Sequence, residues 1–419
     1  MILRRVVTAD ATLSVMLHGL KVAVALLVNW IVLNLFDVSD FVTWSVTSSI
    51  LVVATASDLG IGQYTVTRLI NADRGEWAGE VGESLMALVP LILLSAAFVV
   101  LAIEGPSTAY KVSMALLLAG RVATIPFAAT LNAANQFKIR KAIELFAYIL
   151  AAIAVGFIAW RGLDVHWALL SLNVTFLLGA MLTVVAAARY LPVRKALTSA
   201  TPRKAIGVFR AAVPFMANNL TGLLTYGGFI WLASLTVAQI DVAKLAVLHG
   251  FVLVNLYQLY DVFLKSRQAD LIDPRRVARY RQVNWLVMLA LPPAFMLTGR
   301  EALALIGNPV PIDLTVAALF GIFMALEMGN LFAQSVTQVN IALVHRLNGY
   351  AMLRACLLAA FGAAWLSADH DALTVLLSAL SLGSLASLWY LMRLKPVSKD
   401  LGCQTTSTKI SDTKSSTSR

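Results

Sequence analysis

Long apolar stretches alternate with short polar connections along almost the whole chain. Each stretch is close to the about 20 residues that a helix needs to cross the roughly 30 Å hydrocarbon core of a bilayer. Twelve such segments are predicted, at about residues 11–34, 41–63, 84–103, 112–136, 143–160, 166–188, 207–234, 243–264, 284–299, 313–341, 348–366 and 372–392. The pattern predicts an all-α polytopic membrane protein with about 12 transmembrane helices.

The basic residues distinguish the two sides of the membrane. Lys and Arg cluster before the first segment and after every second one, whereas the opposite edges carry only Lys111, Arg161, Lys244 and Arg300. Cytoplasmic loops hold the excess of Lys and Arg in membrane proteins, so both termini are predicted to be cytoplasmic. The polar, Ser-, Thr- and Lys-rich residues 396–419 are expected to form a disordered cytoplasmic tail.

Composition excludes several function classes. The 419 residues are 59% hydrophobic and 13% charged, and the net charge of +11 is spread over separate loop edges, so no nucleic-acid partner is expected. The two cysteines, Cys356 and Cys403, lie on different sides of a membrane boundary, and neither a disulfide framework nor a metal site is predicted. Without a P-loop motif or a long extramembrane connection, we expect neither an enzyme nor a bound cofactor.

The two halves of the chain resemble each other. Residues 127–135 in the fourth segment align with residues 332–340 in the tenth, and nearly the same shift brings Asp58 onto Asp261. The repeat predicts two six-helix bundles related by a pseudo-two-fold axis along the membrane normal, with a cavity between them. The predicted division is an N-terminal bundle at 1–195, a cytoplasmic linker at 196–206, a C-terminal bundle at 207–395 and the tail at 396–419.

Four charged residues lie inside predicted membrane segments: Lys21, Arg121, Arg354 and Glu327. A charge in the bilayer interior costs several kcal/mol unless it faces a wet cavity or a partner, so these residues are candidates for function. Three cations against one acid favour an anionic cargo, and Arg and Lys suit phosphate oxygens. Glu327 is expected either to pair with Arg121 across the cavity or to couple transport to an ion, and snorkelling is the alternative for Arg354.

Three further acidic positions lie near cytoplasmic edges. Glu144 is close to Arg140 and Lys141 and is expected to pair there without a functional role. Asp58 and its counterpart Asp261 are expected to act as gate residues that pair with basic residues of the opposite half, for which Arg267 or Lys265 would be partners of Asp58. A local helix cap together with a charge pair to Arg68 is the alternative for Asp58.

The segment SDLGIGQYTVTRL, residues 57–69, resembles the end of the second helix in Wzx-type O-antigen and exopolysaccharide flippases. These flippases form the polysaccharide transporter branch of the multidrug/oligosaccharidyl-lipid/polysaccharide (MOP) exporter superfamily. The resemblance covers about residues 1–395 and extends to the twelve spans and two halves.

The resemblance implies that undecaprenyl-pyrophosphate-linked oligosaccharide units cross a bacterial inner membrane by alternating access. Lys21, Arg121 and Arg354 would then hold the pyrophosphate or acidic sugars. The implied environment is the lipid-linked substrate and membrane lipids, and a polysaccharide polymerase and a chain-length regulator are candidate partners.

Three alternatives remain. An ion-coupled multidrug or small-solute antiporter of the same superfamily would usually carry membrane carboxylates in the first and seventh helices, which this chain lacks. A major facilitator transporter would share the six-plus-six arrangement, but Asp73, Arg74 and Gly75 match its loop signature only in part. A membrane polymerase or glycosyltransferase would need a larger outer loop.

Overall fold

The computed structural model describes residues 2–55, 58, 60–134, 136–198, 201–222, 229–235, 238–253, 256–257, 259–260, 264, 271, 274–305, 312–338, 353, 356 and 372–392. In the first half the helices are α1 (Ile2–Leu35), α2 (Val38–Thr55), α3 (Ile61–Asn71), α4 (Trp77–Ala102), α5 (Thr108–Ala123), α6 (Ile125–Ala133), α7 (Phe137–Trp160), α8 (Val165–Ala187) and α9 (Val193–Thr198). In the second half they are α10 (Pro202–Gly222), α11 (Phe229–Ser234), α12 (Gln239–Val247), α13 (Pro274–Leu305), α14 (Leu314–Gln338) and α15 (Ala372–Met392), with a π-helical turn at Leu248–Leu253.

Seven stretches within the described residues are helical, long and apolar enough to cross a membrane. Six of them, from Met16–Leu35 to Val165–Ala187, correspond to the first six predicted segments, and Leu314–Val336 corresponds to the tenth. Their surfaces carry many exposed large apolar side chains, such as Leu93, Leu94 and Leu101 of α4. A lipid-facing surface requires such side chains, because hydrocarbon rather than water surrounds it.

The fourth predicted segment is not one continuous helix. It divides at Thr124 into α5 and α6, and Pro126 lies in the first turn of α6. A proline inside a helix removes one backbone hydrogen bond and clashes with the preceding turn, so the helix restarts at this point. The break places Arg121 in the last turn of α5. The aligned position in the second half is Leu331, and α14 runs through it without interruption.

The connection between α2 and α3 explains the glycines that follow Asp58. Gly60 has a positive φ of 81°, which favours glycine. A Cβ atom on Gly62 would lie only 2.6 Å from Ile125 Cγ2, at the start of α6. The Asp58 carboxylate accepts hydrogen bonds from the backbone N–H groups of Gly60 and Gly62, both at 3.2 Å. The residues of this motif therefore build a capped turn that lets α3 pack against α6.

Helix packing is most extensive within each half. In the first half, α1 packs along α7, α7 along α8, and α4 along α5; in the second half, α14 packs between α13 and α15. The halves meet where α10 lies against α4 and α3, and where α11 and α12 lie against α2. Helical residues extend into both ends of the predicted 196–206 linker, because α9 ends at Thr198 and α10 begins at Pro202.

The capped turn yields a prediction that separates the two interpretations of Asp58. Asp58→Ala removes the acceptor of two N–H groups and should lower the free energy of unfolding by about 0.5–2 kcal/mol, whereas Asp58→Asn keeps an acceptor and should lose less. Thermal unfolding in detergent measures both, with Asp73→Asn, an exposed acid in the next connection, as the control. An Asp58→Asn variant that is as unstable as Asp58→Ala would instead assign Asp58 a role that needs its charge.

Candidate functional site

The first intramembrane cation, Lys21, meets an acid on a neighbouring helix. Lys21 Nζ of α1 lies 3.5 Å from Glu144 Oε2 of α7. The same carboxylate binds Arg140 Nε at 3.0 Å and Lys141 Nζ at 2.8 Å, from one turn earlier on α7. Glu144 therefore stands among three cations, and the sequence prediction that it pairs at the helix end with Arg140 and Lys141 omitted Lys21.

These four side chains are partly or largely buried, and Arg140 is the most exposed of them at 32%. The exposed fraction is 14% for Lys21, 10% for Lys141 and 25% for Glu144. Glu144 lies about two turns inside the start of α7, at the end that the charge pattern places on the cytoplasmic side. One carboxylate cannot neutralise three cations, so the cluster keeps a surplus of two positive charges.

Among the described residues, the second intramembrane cation, Arg121, contacts an amide and an aromatic ring rather than a carboxylate. Its Nη1 donates a hydrogen bond to Asn173 Oδ1 at 3.2 Å, and its guanidinium lies 4.7 Å from the ring centre of Phe176. Asn173 is 1% exposed and is oriented by its own bond from Nδ2 to the Leu169 carbonyl at 2.9 Å. A position in the last turn of α5 also favours the charge, because the carbonyl end of a helix carries partial negative charge.

Two aromatic rings connect the cations. Lys21 Nζ lies 5.3 Å from the ring centre of Tyr148, and the centres of Tyr148 and Phe176 are 4.8 Å apart. Phe176 in turn lies beside Arg121. A cation over an aromatic face gains about 0.5–2 kcal/mol, most where water is excluded. Lys21, Tyr148, Phe176 and Arg121 thus form a continuous path of contacts between α1, α7, α8 and α5, which we call the cation–aromatic cluster.

The acid of the second half has different surroundings. Glu327 in α14 is fully buried and accepts a hydrogen bond from Ser384 Oγ of α15 at 2.5 Å. Asn330, one turn further along α14, donates to the Ser384 backbone carbonyl at 3.0 Å. Within the part of the chain that the structure describes, Arg121 has no carboxylate partner, so Arg121 and Glu327 do not form the ion pair considered from the sequence.

The other predicted site residues are placed only in part. Asp58 caps the start of α3 through Gly60 and Gly62. Arg354 and Asp261 lie outside the described residues, and so do the basic residues expected to face Asp58, Lys265 and Arg267.

An ion pair joins the two halves at their cytoplasmic edge, where the sequence did not indicate one. Lys204 Nζ at the start of α10 lies 2.9 Å from Glu83 Oε1 of α4, and this bond raises the pKa of Lys204. Nearby, Arg68 of α3 makes two hydrogen bonds to the Glu80 carboxylate, which raise the pKa of the guanidinium. The start of the second half is therefore tied to α4 by charge as well as by packing.

Sequence reasoning missed Asn173, Tyr148 and Phe176. An Asn in an apolar span is a signal that was available, because a buried amide needs hydrogen-bond partners. Tyr148 and Phe176 carry no such signal, since aromatic residues are common in membrane helices and only the packing of α7 on α8 brings the two rings together.

Comparison with known proteins identifies the fold. No protein-family model and no curated protein matches the chain. Among solved structures, an inward-facing multidrug resistance MATE family transporter of the MOP superfamily is 13% identical, with a TM-score of 0.61 over 90% of this chain and 94% of that one. A eukaryotic MATE transporter is 14% identical, with a TM-score of 0.57 over 92% of this chain and 94% of the other.

A third match is a MOP superfamily transporter from Pyrococcus furiosus, 11% identical, with a TM-score of 0.54 over 92% and 95% of the two chains. At these identities the likeness shows the fold. MATE-like structures have 12 transmembrane helices in two bundles, which confirms the predicted fold class. The chain is an all-α, multi-pass membrane protein with the fold of MATE transporters of the MOP superfamily.

Proposed function

We propose that this protein is a flippase that moves undecaprenyl-pyrophosphate-linked oligosaccharide units across a bacterial inner membrane, for the synthesis of O-antigen or exopolysaccharide. The observation that carries the proposal is the cation–aromatic cluster. It holds two cations, Lys21 and Arg121, inside the apolar layer of the first bundle, where each costs several kcal/mol in the absence of compensation. A cost of this size is expected where an anion binds.

The chemistry of the cluster suits a pyrophosphate. Arg121 presents a planar guanidinium that can bond two oxygens at once, and Lys21 adds a compact charge. Arg121 contacts a neutral amide and an aromatic ring. Lys21 contacts an aromatic ring and a carboxylate that two other cations share. Among the described residues, neither cation has an acid of its own, so both retain attraction for an incoming anion. Arg354 joins them in this proposal.

The fold supports transport by alternating access. Two of the matched structures are an inward-facing and an outward-facing conformation of a multidrug resistance MATE family transporter. Two bundles that rock about a central site would let the headgroup pass between them while the polyprenyl tail stays in lipid. In this proposal the residues that tie the halves together, such as Glu83 and Lys204, take part in the conformational change.

An ion-coupled multidrug or small-solute antiporter is the second candidate. It is favoured by Glu327, a fully buried acid in the second half, and by the matches to multidrug MATE transporters. The matched transporter from Pyrococcus furiosus is described as having a binding pocket of reverse polarity that suggests a different function. The same fold therefore accommodates pockets of different charge, and the cations of the first bundle favour an anionic cargo here.

The test of the proposed function is the leaflet distribution of undecaprenyl-pyrophosphate oligosaccharide in cells with and without the protein. We expect the lipid to accumulate on the cytoplasmic face without the protein, and wild type to reverse this accumulation. Lys21→Ala and Arg121→Ala should each lower the rate at least about tenfold at normal membrane abundance, since each removes an anion contact worth about 1.5–3 kcal/mol. Arg161→Ala, which removes an exposed cation from the outer edge, is the matched control.

An unchanged leaflet distribution together with altered efflux of a soluble compound would contradict the flippase and favour the antiporter. Full activity of both Lys21→Ala and Arg121→Ala would show that these residues do not bind the cargo. The flippase would then need other cations to bind the anion.

The link between the halves gives a separate prediction. Glu83→Lys places two like charges at the α4–α10 contact and should slow transport several-fold, whereas the added reversal Lys204→Glu should restore it to within about twofold of wild type. The transport rate of both variants is compared with that of Arg189→Glu, a charge reversal at an exposed cytoplasmic position. If the double reversal stays as slow as the single one, the Glu83–Lys204 pair has no part in the cycle.

A further inference from the structure

The inner end of the first bundle holds a charge cluster of which the proposed function uses only Lys21. Three cations from two helices, Lys21, Arg140 and Lys141, converge on the single carboxylate of Glu144 at 3.5, 3.0 and 2.8 Å. Ordinary neutralisation of one buried cation needs one acid. Here three cations share one acid, so the positive charge around the carboxylate exceeds its negative charge.

We propose that Glu144 is an internal substitute for the phosphate groups of the cargo. In the empty transporter the Glu144 carboxylate binds the cations. A diphosphate displaces this carboxylate and binds Lys21, Arg140 and Lys141 directly. The inference rests on the proposed function only for the identity of the natural anion. It assigns Glu144, which the sequence placed in a passive edge pair, a direct effect on affinity.

The contact distances support a Glu144 carboxylate that can be displaced, rather than one that permanently links α1 to α7. Lys21 contributes the longest of the three contacts and is the one cation of this set on a different helix, α1. Lys21 Nζ also lies near the Tyr148 ring, so it keeps a favourable contact when the carboxylate leaves. Arg140 and Lys141 are on the same helix as Glu144, one turn away, and stay beside the site whatever Glu144 does.

The location suits the start of a transport cycle. Glu144 lies about two turns inside the cytoplasmic end of α7, and the shared residue Lys21 continues through Tyr148 and Phe176 to Arg121. A diphosphate entering from the cytoplasmic leaflet would meet Arg140, Lys141 and Lys21 before Arg121. The cation–aromatic cluster is then the continuation of the same path deeper into the membrane.

An internal competitor also solves a problem of release. Three convergent cations in an apolar layer would hold a diphosphate strongly, and a transporter needs a site that is favourable to enter but weak enough to leave. As the cargo leaves, the Glu144 carboxylate binds the cations again and compensates part of their positive charge. Its presence lowers the apparent affinity by the fraction of protein in which the cations are free.

The experiment measures binding without transport, on the purified full chain in nanodiscs of zwitterionic lipid. The probes are inorganic pyrophosphate and farnesyl pyrophosphate, titrated by calorimetry. Glu144→Gln removes the competing charge and should bind both probes about tenfold more tightly than wild type. Glu104→Gln removes the same charge from an exposed outer position and should bind like wild type, which controls for overall electrostatic attraction.

Adding Lys21→Ala to Glu144→Gln should cancel the gain, because the freed cation is then absent. Tighter binding of farnesyl pyrophosphate than of pyrophosphate would assign the site to a lipid headgroup, and equal binding would assign it to soluble diphosphates. Unchanged or weaker binding by a monodisperse Glu144→Gln protein would overturn the proposal and make Glu144 a structural brace.

If Glu144→Gln does not fold, Arg140→Ala decides the matter, because only this inference places Arg140 in the anion site. Arg140→Ala should weaken pyrophosphate binding about tenfold, and unchanged binding would overturn the site. The outcome is separable from that of the proposed function. An antiporter of other anions would still show tighter diphosphate binding in Glu144→Gln, and a flippase without this site would still move the glycolipid in the leaflet assay.

Discussion

The first bundle is organised by the need to compensate charge inside hydrocarbon. An uncompensated cation in that layer costs several kcal/mol, which is comparable to the net stability of many domains. The structure meets this cost for Lys21 with Glu144 and the Tyr148 ring, and for Arg121 with Asn173, the Phe176 ring and the end of α5. Compensation by rings and an amide leaves the positive charge available, whereas an ion pair for each cation would cancel it.

A backbone feature creates one of these environments. Pro126 ends the run of the fourth segment, and the resulting helix end gives Arg121 a region of partial negative charge within the membrane. In the second half Leu331 occupies the aligned position, α14 continues, and Glu327 lies in the middle of an intact helix. One difference in residue type between the repeats thus accompanies two sites of opposite sign. The asymmetry suits a transporter whose halves have different tasks.

Sequence alone predicted much of the fold and named part of the candidate site, for different physical reasons. Spans and sides follow from hydropathy and from the positions of Lys and Arg, because bilayer thickness and membrane topology act on each segment separately. Lys21 and Arg121 were identifiable for the same reason, since a charge in an apolar run is visible locally. The third partner of Glu144 could not be inferred from sequence, because Lys21 lies on α1, whereas Arg140 and Lys141 are its neighbours along α7. Tyr148 and Phe176 depend on helix packing, which sequence periodicity does not specify.

A multidrug resistance MATE family transporter and a MOP superfamily transporter with a binding pocket of reverse polarity share this fold, so charge rather than fold distinguishes the proposed cargoes. A cationic drug would be repelled by a site in which Lys21, Arg140 and Lys141 outnumber Glu144 and in which Arg121 has no acid partner among the described residues. The same surplus attracts a diphosphate, and the attraction is strong because the surroundings are apolar. Strong attraction alone would stall a carrier after one step. In the proposed cycle, the Glu144 carboxylate lowers the free-energy gap between the empty and the loaded states, and this allows the anion to be released.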